Sequence, residues 1–221
     1  MCWNAEVSLN TFIFSFFVLI LVYYNNEYTK YKIKIFENKW FYIFLASIIF
    51  IQFFEFFIWK NIKNKFNAFF TKWLLFLIIL QPIFSLMLLS NLTLRNILLI
   101  PYVIGGFAFM LNVLASNKVV STVSKNGHLI WNWNWNYFEI KFGGIVINKF
   151  LWLLWTLLLL FPLFYEKKWE FLLFGIITLS FFVYAEYNSR ASTWCWITNL
   201  FSIYLIVILL FYLPLKEKGI C

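Results

Sequence analysis

The sequence has no aspartate and only one histidine, His128, in 221 residues. Acid chemistry must therefore come from nine glutamates, and no pair of histidines exists to hold a metal. The three cysteines, Cys2, Cys195 and Cys221, are far apart and form no C-x-x-C element, so the chain carries no local metal motif and no cofactor is expected. Charge is scarce too: 12% of residues are charged and 63% hydrophobic, against about 25% and 45–50% in an ordinary soluble domain. In a soluble protein the net charge of +9 would suggest nucleic acid. Here the lysines lie in short connections between apolar blocks, where they anchor loops at lipid headgroups, and no nucleic-acid partner is expected. The start of the chain lacks the basic segment and cleavage site of a secretory signal, so the first apolar run is expected to remain as a span. Neither Cys2 nor Cys221 fits a lipid-attachment pattern.

What the chain does have is long apolar runs, with aromatics at 24%. A membrane span needs roughly 20 mainly apolar residues, and seven stretches qualify, at about 9–24, 40–59, 68–90, 96–115, 145–165, 169–187 and 192–213. The expected fold is an all-α membrane protein, a single domain of seven transmembrane helices in the lipid bilayer, with homo-oligomers open to it. Between the fourth and fifth spans, over 117–144, the pattern breaks. Asn126-Gly127 is a turn signal between two runs of strand type, which predicts a β-hairpin. In its second arm Trp131, Trp133 and Trp135 alternate with asparagines, so one face of the strand is aromatic. That suits a hairpin lying on the membrane surface or lidding the bundle; a stacking platform for sugars or bases is the alternative.

Seven spans put the termini on opposite sides. The 18 Lys and Arg residues divide equally between the two sides; discounting Lys125 and Lys141 in the hairpin places the N-terminus outside and the C-terminus in the cytoplasm. The alternation of direction also gathers polar residues near the N-terminal side: Glu55 one turn from the end of span two, Asn112 at the end of span four, Ser192 and Cys195 at the start of span seven. Ser192, Cys195, Asn199 and Ser202 share one helical face, and Gln81 and Ser85 share another at mid-depth of span three. With Gln52 they outline a polar funnel that opens toward the N-terminal side and closes near Gln52, Gln81 and Asn199. Glu55 is its charge-bearing member, and ionisable residues inside spans are functional by default. Cys2 and Cys195 are candidates for a disulfide if that side is oxidising. As an alternative, Cys2, Cys195, Glu55 and His128 are a donor set for Zn²⁺.

The N-terminal Met1-Cys2-Trp3-Asn4, the second-span Gln52-Phe-Phe-Glu55-Phe-Phe-Ile-Trp59 and the last-span Ser192-Thr-Trp194-Cys195 resemble a family of seven-span membrane proteins without assigned activity, found in bacteria and in large DNA viruses. The family pattern runs M-C-(W/F)-S, then H-Q-x-x-E-x-x-x-W, then S-x-W-C. This chain departs from it at Asn4, where Ser is usual, and at Ile51, where the family has His, so the ring nitrogen a metal or proton relay would use is missing. The resemblance implies the seven-helix architecture, singles out Cys2, Glu55 and Cys195, and implies no mechanism; the Lys-, Asn- and Ile-rich composition points to a viral or host-cell membrane. Other seven-span families fit poorly. No lysine lies between Trp194 and Leu213 for a retinal Schiff base, Leu94-Arg95-Asn96 and Asn199-Leu-Phe-Ser-Ile do not match receptor motifs, and intramembrane histidines for a zinc hydrolase are absent. The leading expectation is a protein that binds or conducts a small solute or cation. The alternatives are a structural or interaction protein of a membrane and a metal-dependent intramembrane hydrolase.

Overall fold

The structure is a computed structural model that describes residues 4–115, 119–132, 141–142, 145–184 and 190–217. It is mostly helical: α1 (Ala5–Tyr28), a 3-10 turn (Lys34–Glu37), α2 (Lys39–Lys60), α3 (Phe66–Leu86), α4 (Leu92–Ala115), α5 (Ile147–Tyr165), α6 (Trp169–Tyr184), α7 (Arg190–Thr198), α8 (Phe201–Val207), a π-helical turn (Ile208–Tyr212) and α9 (Leu213–Glu217). Strands β1 (Val120–Val123) and β2 (Leu129–Asn132) form an antiparallel hairpin, with Gly127 at φ 77° in the turn, and β3 (Lys141–Phe142) pairs with β4 (Ile145–Val146).

Asparagines begin three of the long helices. Asn4, in extended backbone, accepts from the Val7 N–H at 2.8 Å, and Glu6 adds favourable charge in the first turn. A Ser at position 4 would cap in the same way, so Asn4 preserves the local chemistry. Asn38 accepts from the Trp40 N–H at 3.0 Å, and Asn91 from the Leu94 N–H at 3.0 Å. The Asn91 cap explains why α4 starts at Leu92 and not near 96. The chain leaves α3 at Leu86 through tight turns, with Leu88 N–H on Ser85 O and Leu89 N–H on Leu86 O. The α5–α6 connection is a helix stop of the Schellman type: Lys167 adopts φ 54°, its N–H bonds to Phe164 O, and the Lys168 N–H bonds to Leu163 O.

The helices pack through an aromatic seam. Phe12 of α1 lies 4.9 Å from Phe53 of α2, Phe53 lies 4.8 Å from Phe57, and Phe57 stacks on Phe70 of α3 at 4.9 Å. Phe41, Phe171 and Phe201 join α2, α6 and α8 in the same way. Gly106 of α4 faces α3, where a Cβ would stand 3.1 Å from Ile79 Cγ2, while Gly105 faces open space.

Polarity is distributed opposite to that of a water-soluble domain. Ile97, Ile100, Ile104, Phe107, Leu111 and Leu114 on α4 are each more than half exposed, whereas Gln52, Glu55, Thr71, Gln81 and Ser85 are fully buried. Apolar surface of that extent needs an apolar surrounding. Five helical segments, Ala5–Tyr28, Lys39–Lys60, Phe66–Leu86, Leu92–Ala115 and Ser192–Glu217, are long and apolar enough to cross a membrane, and Leu153–Tyr165 and Trp169–Ser180 are shorter apolar stretches.

Candidate functional site

The buried positions Phe44, Ile48, Ile51, Gln52, Glu55 and Ile58 form one stripe of α2. The spacing of three and four that makes this stripe core-facing carries Gln52 and Glu55 inward with the isoleucines. Glu55 is fully enclosed, and the Ser192 hydroxyl, 1% exposed, donates to its Oε1 at 2.5 Å. That is the short end of the range for a hydroxyl on a carboxyl oxygen. It joins α2 to α7 across 137 residues of sequence.

Beyond Ser192 the last helical run is interrupted. α7 ends at Thr198 and α8 begins at Phe201, with Asn199 and Leu200 in turn conformation; the Asn199 N–H bonds to Trp196 O at 3.1 Å and the Ser202 N–H to Asn199 O at 3.0 Å. Thr198, Asn199 and Ser202 are all buried there. None of Gln52, Glu55 and Asn199 is without a partner. Trp194, between Ser192 and the break, donates from Nε1 to Thr178 Oγ1 of α6 at 3.2 Å and meets Trp155 of α5 edge-on at 5.5 Å.

A second polar layer is built around a proline. Pro82 has no N–H to offer Ile78 O four residues back. The Trp155 indole takes that carbonyl at 3.0 Å, and the Tyr102 hydroxyl takes the next one, Ile79 O, at 2.9 Å. Ser85 donates to Leu159 O of α5 at 2.7 Å. Gln81 is fully buried, with both ends of its amide lacking a hydrogen-bond partner among the described residues.

Of the residues read as a funnel, Gln52, Glu55, Gln81, Ser85, Ser192, Asn199 and Ser202 are all buried in the bundle. Glu55 is enclosed and does not stand at an open rim. Asn112 is on the outer surface of α4, its Nδ2 donating back to Ala108 O at 2.9 Å. Trp131 is turned inward beside Leu129 and is 8% exposed. Trp133, Trp135, Cys2 and the Cys195 side chain lie outside the described residues. No group of three or more metal-ligating side chains occurs among the described residues.

Sequence reasoning missed a bracket at the start of α3. Asn67 accepts from the Ser121 N–H at 2.8 Å and donates to Ser121 O at 2.8 Å, so its amide pairs with the free edge of β1 as a neighbouring strand would. Thr71 completes the contact, donating to Asn67 Oδ1 at 3.0 Å with its oxygen 2.9 Å from Ser121 Oγ. The only signal for it in the sequence is an asparagine and a threonine four apart at the head of an apolar helix.

The chain matches no family model, no curated protein and no solved structure.

Proposed function

We propose that the chain is a seven-span membrane protein, N-terminus outside and C-terminus cytoplasmic, that binds or conducts a small solute or cation at the polar centre around Glu55. The observation that carries this reading is a carboxyl group with no exposed surface in a helix built mainly of Phe and Ile. Desolvating an ionisable group inside a span is expensive, and such groups mark ion or substrate paths. The interrupted helix beside it adds support, because broken helices in membrane proteins leave backbone carbonyls and helix ends for ligands.

The span count is supported by direction. Trp155 meets Ile78, Ser85 meets Leu159, and Ser90 meets Glu166, so α5 runs alongside α3 in the same sense. α6 returns against α7 and α8, since Trp194 meets Thr178 and Tyr204 meets Glu170. At a rise of about 1.5 Å per residue, α5 and α6 reach about 28 and 24 Å, close to the roughly 30 Å of a bilayer core.

Glu55→Gln is the test, because the amide keeps the volume and still accepts the Ser192 hydroxyl while removing the charge. Solute or cation flux into liposomes falls to background in this variant while the protein stays folded. A second reading, favoured by the 2.5 Å bond to Ser192, is that Glu55 only fastens α2 to α7. Flux unchanged in Glu55→Gln, with Ser192→Ala lowering thermal stability, selects that reading and removes the transport role.

A further inference from the structure

The end of the bundle away from Asn67 and the β1–β2 hairpin holds a cavity of about 480 Å³ between the 3-10 turn, the α3–α4 connection and the α5–α6 turn. Three cations from three segments line it, Lys34, Arg95 and Lys168, together with Glu37, Glu166 and Trp40. Neither carboxylate forms an ion pair with them, and the lining keeps a net positive charge. Glu166 Oε1 instead accepts from the Ser90 N–H at 2.7 Å and the Ser90 hydroxyl at 2.8 Å. Among the described residues the one ion pair is Lys30 with Glu217, elsewhere on the surface.

Arg95 is the informative member. Its Nε is buried and has no acceptor among the described residues, and a buried donor left without a partner is costly. It also stands in the first turn of α4, just after the Asn91 cap, where the positive end of the helix dipole disfavours a cation and favours an anion. An anion in the cavity would balance the charge of Lys34, Arg95 and Lys168 and complement the helix end. Guanidinium and ammonium groups converging from separate segments are the chemistry that binds phosphate.

We infer that this cavity is a binding site for a net-anionic phosphate group. Two sources share that chemistry: the headgroup of an anionic phospholipid, which the ends of α2, α3, α4 and α5 would meet at the membrane boundary, and a soluble phosphate or phosphate monoester. The site is separate from the Glu55 centre and stands or falls without it.

The test uses the full chain in a non-ionic detergent, with the thermal unfolding midpoint and binding followed in two titrations, one with phosphatidylglycerol and one with inorganic phosphate and glycerol phosphate. At least one arm raises the midpoint of the wild-type protein, and Arg95→Gln weakens that binding by about tenfold or more. The double variant Lys34→Gln/Lys168→Gln, which removes no buried donor, also weakens it, so loss of folding in Arg95→Gln alone cannot mimic the result. Removing the same sign of charge at the opposite end of α2, as Lys60→Gln/Lys63→Gln/Lys65→Gln, leaves binding unchanged. Stabilisation by the lipid alone identifies a headgroup site, and stabilisation by the soluble phosphates identifies a free phosphate site. No stabilisation in either arm, or equal binding by the wild type and the Arg95 and Lys34/Lys168 variants, overturns the inference.

Discussion

The amide of Asn67 meets both backbone groups of Ser121, and the amide of Asn26 does the same to Ile33, accepting from its N–H at 3.0 Å and donating to its C=O at 3.1 Å. In each case one side chain replaces a strand partner for a segment outside the helix that carries it. In an apolar bundle this matters because every enclosed backbone group must find a partner inside the protein. Asn67→Ala leaves the Ser121 N–H and C=O enclosed and unmatched, a loss of about 2–6 kcal/mol at the usual cost of two orphaned groups. Asn67→Asp keeps the acceptor but sets a carboxylate against Ser121 O, and is expected to be no better. Hydrogen exchange over 119–132 reads the effect directly: exchange as slow in Asn67→Ala as in the parent would show that the bracket does not hold the hairpin. Neither asparagine stands out in the sequence. Asn61 and Asn64 lie in the lysine-rich connection that leads into Asn67 at the head of α3, and the partner of the one that matters is 54 residues away. Glu55 was legible for the opposite reason, because a carboxylate in a run of Phe and Ile is conspicuous without any knowledge of its partner.

The helices were readable as apolar runs with interfacial aromatics, and their ends moved where a cap was overlooked, as Asn91 was for α4. What periodicity does not carry is how a helix with a proline in it stays satisfied. Pro82 falls inside α3, and the Ile78 carbonyl it frees is met by Trp155 from a helix 77 residues further on. Trp155→Phe keeps an aromatic ring against Trp194 but removes the donor, and is expected to cost about 1–3 kcal/mol in thermal or denaturant unfolding in detergent. Pro82→Ala returns an N–H to Ile78 O, so the loss from Trp155→Phe should shrink in that background; a double-mutant cycle measures the difference. Equal losses with and without Pro82 would mean that the indole acts by packing alone. Gln81 precedes this proline, and its amide is fully buried. Its neighbours are set by α4 and α5 folding onto α3, which no local pattern encodes.

At the scale of the molecule, the two ends of the bundle differ in chemistry: one carries the hairpin bracketed by Asn67, the other the cationic cavity and a tie between the first connection and the end of the chain. In that tie Lys30 and the Tyr31 hydroxyl both bond to Glu217, the latter at 2.5 Å, and these hydrogen bonds hold the Lys30 and Tyr31 protons above their ordinary values of 10.5 and 10.0. Both groups keep their protons more tightly in the folded state, so their share of the tie is intact at neutral pH and is lost as pH rises past their ordinary values. Its position constrains topology. The last helix ends beside the first connection, which in a membrane requires an even number of crossings between them; in the proposed seven-span reading α2, α3, α4, α5, α6 and the α7–α9 run make six. A version in which α5 and α6 enter as a re-entrant pair from the hairpin side leaves four and satisfies the same parity, so the α5–α6 turn is where the two differ. With the native cysteines replaced by serine, single cysteines at Lys32, Lys167 and Lys216 should react with an impermeant thiol reagent from one face of the membrane. Those at Lys63 and Lys125 should react from the other. The hydrogen bonds of Ser90 to Glu166 already draw the α5–α6 turn to the end of the bundle where α3 finishes. Labelling of Lys167→Cys together with Lys63→Cys and Lys125→Cys would therefore overturn the seven-span reading.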